Sequence, residues 1–389
     1  MSGVYLHIPF CKKACHYCDF HFSTSVQTKD TMIKSMVKEI DLRYNFTDSP
    51  IETIYFGGGT PSILSSYDIN TLLNKILETF HVVNEPEITF EANPDDLTLE
   101  KLKELKKAGI NRLSIGIQSF HDDNLLLMNR AHSSQQASKC IKLAQQEGFN
   151  NISIDLIYGL PGLSSDNWLT NIQNAIDLNV QHISAYCLTI EKKTVFYNWH
   201  ASNKIILPDD QQTLDQFVAL TDLLVSNDFE HYEISNFGKR GYYSKHNSNY
   251  WLQEKYLGIG PSAHSFNGQS RMWNIRNNNK YIKAIAEEKS FHEQETLTPR
   301  DQFNEYILTR LRTKWGINKA ELKDRHQAYF LILEEQLKKW LDQEMILENE
   351  TFFILSPGGK FIADRIISDL FSFYSKQYYS VILGFFSCS

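Results

Sequence analysis

The chain has 389 residues, with 39 Lys and Arg against 46 Asp and Glu, for a formal charge of −7. That length accommodates one large domain and a smaller one, and the acidic balance supplies no bulk positive field for nucleic acid or anionic lipid. No run approaches 18 apolar residues, and the opening "MSGVYLHIPF" has neither a basic nor an apolar leader region; the expectation is a cytoplasmic protein that does not bind nucleic acid and meets a membrane only through a partner.

Six cysteines in a reducing compartment make a poor disulfide framework. Three of them, Cys11, Cys15 and Cys18, crowd into "CKKACHYC", whereas Cys140, Cys187 and Cys388 stand apart.

The first strand is predicted at "VYLHI" and runs straight into those cysteines. Next come a helix in "TMIKSMVKEIDLRY", a strand in "TIYFGGG", a helix in "INTLLNKILETF", a strand in "ITFEANP" and a helix in "LEKLKELKKAG". The alternation continues through strand "RLSIGIQSF", helix "SSQQASKCIKLAQQEG", strand "ISIDLIYGLPG", helix "NWLTNIQNAIDLN" and strand "HISAYCLTI". Strands alternating with helices in this way predict an α/β fold with a parallel sheet, a partial (β/α)6-type barrel. Polar strand endings at residues 57–60, Glu91, Asn93, Gln118 and Asp155 are expected to converge on the carboxyl-end face, where such folds build their sites.

After about residue 236 the alternation stops, and the chain turns rich in Asn, Tyr and Trp through "HNSNYWLQEKYLGIGPSAHSF". From about 300 to 373, helices precede a hairpin in "MILENETFFILSPGGKFIAD", with the glycine pair near its return. The outline is that of a smaller, helical, winged-helix-like domain, and its lack of a basic stripe argues against the DNA binding such domains often perform. The predicted organisation is a core over 1–236, a C-terminal region over 237–373, and an aromatic tail over 374–389 with no assigned role.

Thiolates closely spaced on one loop are the usual ligands of iron–sulfur clusters. A four-iron cluster held by three of them leaves one iron open to a small molecule, as a catalytic metal site keeps an open position. The residues alone leave two other readings: a zinc site completed by His7, His16 or His21, or a reactive thiol.

"CKKACHYCDF" has the C-x-x-x-C-x-x-C form of the radical S-adenosylmethionine (SAM) superfamily, with Tyr17 just before the last cysteine. Together with "YLHIPFC" and "YFGGGTPS" it resembles the subfamily of oxygen-independent coproporphyrinogen III oxidases and their heme-chaperone relatives, in order from Tyr5 to about Asp369. The resemblance implies a [4Fe–4S] cluster on Cys11, Cys15 and Cys18, and SAM chelating its open iron for reductive cleavage. It also implies a SAM pocket. Gly57, Gly58, Gly59 and Thr60 would lie along the methionyl amino group and Glu91 on the ribose hydroxyls; Gln118, Arg130 and Asp155 would complete it, with Tyr5 and Tyr17 beside the cluster. Cys187 falls where a small residue lines the adenine side in relatives.

Position 20 separates the branches. The oxidase branch carries a fourth cysteine two places after the third, whereas this chain has Phe20, the residue typical of the heme chaperones. "HNSNYW", residues 246–251, also resembles the H-N-x-x-Y-W signature associated with heme in that branch, with His246 offering an imidazole and Tyr250 and Trp251 flat surfaces. Without the resemblance, His246 reads as a hydrogen-bonded histidine beside core aromatics. The implied function is transfer of heme to an acceptor haemoprotein, with an electron donor required if SAM is cleaved. Coproporphyrinogen III oxidation is the alternative, and a zinc-containing winged-helix regulator a third reading.

Overall fold

The six runs rich in β-branched residues form six neighbouring parallel strands. In chain order these elements are β1 (Ser2–Ile8), α1 (Lys29–Leu42), β2 (Ile51–Gly58), α2 (Ser66–Thr79), β3 (Val82–Ala92), α3 (Leu99–Lys107), β4 (Arg112–Gln118), α4 (Asp122–Leu127), α5 (Ser134–Gln146), β5 (Ile152–Tyr158), α6 (Ser165–Asp177) and β6 (His182–Cys187). Two of these helices begin at capping boxes in which a side chain accepts from a free amide: Ser65 with Asp68 on α2 and Ser133 with Gln136 on α5. The computed structural model describes residues 2–371; the expected tail unit, with Cys388, lies outside the described residues.

The sheet does not end with the alternation. After α7 (Val195–Ala201) and α8 (Asp210–Val225), the hairpin of β7 (Phe229–Glu233) and β8 (Asn236–Lys239) pairs antiparallel with β6. The chain then returns through α9 (Lys245–Trp251) to β9 (Lys255–Ile259), which pairs parallel with β1. β10 (His264–Phe266), β11 (Ser270–Asn274), α10 (Asn278–Ala286) and β12 (His292–Thr296) extend that edge, giving the strand order β12-β11-β10-β9-β1-β2-β3-β4-β5-β6-β8-β7. A division at 236/237 therefore falls inside β8. The second hydrophobic core begins only at Phe303.

That second core belongs to α11 (Pro299–Leu311), β13 (Ile317–Asn318), α12 (Lys319–Arg325), α13 (Gln327–Asp342), β14 (Ile346–Glu348), β15 (Phe352–Leu355), α14 (Pro357–Phe361) and α15 (Ala363–Asp369), with strand order β13-β15-β14. The helices and three-stranded wing match the expected winged-helix outline, but the glycines do not make the return. Asn349 turns the hairpin by accepting from the backbone N–H groups of Thr351 and Phe352, and Gly358 and Gly359 lie in α14. The unit is joined to the sheet by charge and by backbone bonds: Arg271 of β11 pairs with Glu305 of α11 at 2.9 Å and Arg312 with Glu233 of β7 at 3.2 Å, while Lys314 N–H donates to the Tyr232 carbonyl at 2.9 Å.

The two faces of the parallel strands differ. Val4, Leu6, Ile54, Phe56, Leu113 and Ile115 pack in the main core. The intervening residues are mostly polar: Tyr5, His7, Thr53, Glu91, Arg112 and Asp155 among them. Buried parallel strands ordinarily read as continuous apolar runs, so a polar inner face marks where ligands are handled.

Candidate active site at the carboxyl ends of the parallel strands

β1 delivers the chain to residues 9–28, a loop fixed by backbone bonds rather than by its own regular structure. Cys11 N–H donates to the Ser23 carbonyl at 3.0 Å and Ser23 N–H to that of Pro9 at 2.9 Å; His16 N–H reaches the Met128 carbonyl at 3.1 Å. Arg276 grips the Asp19 carbonyl at 2.5 Å from the far edge of the sheet. The three cysteines are each half-buried, and burial pushes the thiols of Cys11 and Cys18 up to about 11 and about 12. Binding iron therefore means releasing protons.

Two donors point at sulfur: Thr60 Oγ1 at 3.4 Å from Cys11 Sγ, and Arg130 Nη1 at 3.4 Å from Cys15 Sγ. Donors so placed stabilise thiolate ligands, and the loop fits a cluster whose irons each take one thiolate. Among the described residues no three His, Cys, Asp or Glu side chains are grouped to share a single metal ion. The histidines considered for zinc have other partners: His7 Nε2 meets the His21 carbonyl at 2.9 Å, His16 Nδ1 the Leu127 carbonyl at 2.8 Å and His21 Nε2 Asn278 Oδ1 at 2.7 Å.

The glycine loop after β2 answers first to the protein's own packing. Gly58 has φ +107°, and a Cβ there would lie 2.7 Å from the His7 ring; a Cβ on Gly59 would lie 2.7 Å from the Phe10 carbonyl oxygen. Both glycines let β2 approach the cysteine loop, and Gly59 N–H donates to the Ile8 carbonyl at 2.8 Å. Gln118 ends β4 in the left-handed region at φ 68°, an outlier of the kind that clusters at functional sites.

Glu91 sits one residue before the end of β3, where Tyr55 Oη donates to its Oε1 at 2.7 Å. Asp155 lies at the middle of β5 rather than at its end, with Ser184 of β6 as its register partner. Arg130 is not on a strand: it follows α4 and donates through Nη2 to Asn93 Oδ1 at 2.7 Å and the Gly116 carbonyl at 2.6 Å, with Tyr17 Oη 3.4 Å from Nη1. Glu91 and Asp155 keep accessible surface while being enclosed by protein, as side chains lining an internal cavity do. Burial pushes their carboxyls up to about 8 and about 6. Two enclosed carboxylates with no ion pair to any described residue suit a cationic ligand such as SAM.

His246 lies on α9, which crosses the amino ends of β1, β2 and β9, and it is 2% exposed. Both ring nitrogens are occupied, Nδ1 by Thr53 Oγ1 at 2.7 Å and Nε2 by Tyr250 Oη at 2.8 Å. Its ring stacks on Tyr55 at 4.9 Å, and burial pushes its pKa down to about 3. In this conformation it has the geometry of the hydrogen-bonded histidine that the sequence left open. His246→Ala should cost about 2–4 kcal/mol, from the cavity and the two stranded hydroxyls; a urea midpoint equal to wild type would contradict this.

Residues 5–174 match the model of the radical SAM superfamily. The heme chaperone HemW of Bacillus subtilis is 35% identical over 94% of this chain and 98% of its own length, and that of Lactococcus lactis is 35% identical over 92% and 94%. The chain belongs to the HemW family of radical SAM proteins. The HemW of Escherichia coli is 30% identical over 94% of the chain and 97% of its own, so the relationship to HemW proteins spans both units. The fold is also that of the E. coli coproporphyrinogen III oxidase HemN, with a TM-score of 0.83, 22% identity and coverage of 96% of this chain and 90% of the oxidase. Superfamily membership brings the [4Fe–4S] cluster and SAM, and the cysteine loop and the enclosed carboxylates fit both. The sequence-based reading did not find Tyr55, which links Glu91 to His246, or Arg276 and Asn278, which grip the loop. Tyr55 alone had a signal, in its alternation with Thr53 and Gly57.

Proposed function

We propose that this protein binds heme and passes it to an acceptor haemoprotein, using the cluster on Cys11, Cys15 and Cys18 with SAM beside it. The observation that carries the reading is identity of 30–35% to heme chaperones over nearly the whole length of both chains. Phe20, in place of the oxidase branch's fourth cysteine, supports it. Likeness to the oxidase at 22% identity carries the fold and not the activity. Among the described residues no helix is long and apolar enough to cross a membrane, and the proposed setting is the cytoplasm. An electron donor belongs to the account wherever SAM is cleaved.

When bound, SAM at a reduced cluster supplies radical chemistry. The chain's own part is to hold it. We assign Tyr5, Tyr17, residues 57–60, Glu91, Gln118, Arg130 and Asp155 to that pocket, with Arg130 fixed by Asn93 and Gly116 at the edge of the cluster loop. Glu91 carries a testable sign. Its folded pKa is raised, so it is protonated below about pH 8 and ionised above. If the ionised form accepts from the ribose, removing that proton costs about 1.4 kcal/mol per pH unit below 8. SAM affinity should therefore rise toward pH 8 and then level, by up to about tenfold per unit relative to Glu91→Gln, which also corrects for titration of SAM itself. Parallel pH profiles for the two proteins would remove Glu91 from the pocket.

The function is tested by titrating the reconstituted protein with heme and following its passage to an apo-haemoprotein. Failure of the wild-type protein to bind heme would refute the reading.

A further inference from the structure

The inner face of the sheet carries one cation that the site above leaves idle. Arg112 opens β4 and shares a face with Ser114 and Gly116, opposite the core residues Leu113 and Ile115. It is 1% exposed, and its guanidinium makes no hydrogen bond or ion pair to any described residue, with Nε fully buried and unpartnered. A guanidinium does not shed its charge, so the usual escape of a buried base is closed to it. Across the β3–β4 pairing its register partner is Thr89, which is 0% exposed and whose hydroxyl is likewise unpartnered.

The polar groups around Arg112 have already found partners. His182 is held by Ser153 and Tyr232 at 2.7 Å each, His246 by Thr53 and Tyr250, and Tyr55 by Glu91. Asp155 and Glu91 feel the Arg112 charge but are not within ion-pair distance of it. What remains is a planar fork of N–H donors beside a free hydroxyl. That donor set matches a carboxylate, for which a guanidinium offers two parallel bonds.

We propose that Arg112 and Thr89 form a subsite on the inner face of the barrel for a carboxylate of the bound ligand, which in a heme-binding protein is a propionate of the tetrapyrrole. The inference rests on the heme reading and adds the group by which the ligand is oriented.

The test compares heme with heme dimethyl ester on the cluster-loaded full-length chain. Wild type should bind heme at least about tenfold tighter than the ester, the usual worth of a charge-assisted pair. Arg112→Gln should remove most of that preference while leaving ester affinity in place, and Arg112→Lys, which keeps the charge but not the fork, should retain part of it. The wild-type comparison needs no variant to fold. Equal binding of heme and ester by wild type would overturn the subsite and leave heme binding standing. So would an Arg112→Gln protein that loses SAM affinity but keeps its preference for heme, since Arg112 would then serve as counter-charge to Glu91 and Asp155. If wild type binds neither compound, the heme reading and this inference fall together.

Discussion

Replacing any one of Cys11, Cys15 and Cys18 with alanine should abolish the iron–sulfur chromophore, with iron and sulfide falling to background after anaerobic reconstitution. Three thiolates on one loop leave no spare ligand, and the nearby histidines are engaged elsewhere. The other described cysteines are controls: Cys140 is buried in α5 against the main core, and Cys187 stands exposed at the end of β6. Cys140→Ala and Cys187→Ala should keep full iron content. Thr60→Val and Arg130→Gln should retain the cluster with a shifted reduction potential, because each removes a donor to sulfur rather than a ligand. Full iron in any of the three cysteine variants would contradict the assignment.

The largest stability effect is expected at Glu39, far from the cysteines in sequence but structurally behind β1. It is 0% exposed on α1, and its carboxylate accepts from Gly260 N–H at 2.8 Å, Asn274 Nδ2 at 2.7 Å and Tyr281 Oη at 2.5 Å, with Arg43 Nε at 3.9 Å. One side chain thus ties α1 to the end of β9, to β11 and to α10. Burial raises its pKa, and the donors around it oppose that. Glu39→Ala strands three donors at once and should cost about 3–5 kcal/mol, whereas Tyr281→Phe removes one bond and should cost about 1–2 kcal/mol. Because β9 pairs directly with β1, the alanine variant should also lose iron faster under mild denaturant. A urea-derived loss below about 1 kcal/mol would show that the network relaxes instead of breaking.

The elements legible in the sequence were those whose local pattern matches their environment. β1 to β6 are long strands with a continuous buried face, and their β-branched runs stand out. β12, at the sheet edge, reads "HEQET" and β10 is three residues long; strands so short carry no periodicity, and only their pairing, β12 with β11 and β10 with β9 and β11, identifies them. The wing was legible but its return was not, because an Asn side chain makes the turn that a glycine pair seemed to advertise. At the site, the cysteine spacing reads as a metal-binding loop, and the resemblance, not the spacing alone, points it to a cluster. Asp155 counts among the polar strand endings expected from the sequence, yet β5 continues to Tyr158, so the carboxylate sits deeper in the barrel. What sequence cannot show is who occupies whom. The Tyr55–Glu91 bond spans 36 residues and the Thr53–His246 bond 193, and these pairings decide whether a histidine is free to meet iron.

The most direct test of the central claim is a transfer assay with the cluster-reconstituted wild-type protein, loaded with heme and mixed with an excess of apo-haemoprotein, beside an anaerobic incubation of the same preparation with SAM, a reductant and coproporphyrinogen III. The account predicts that heme appears in the acceptor faster than free heme dissociates from the donor, and that coproporphyrinogen III is left unchanged. Formation of protoporphyrinogen, with no heme reaching the acceptor, would contradict it.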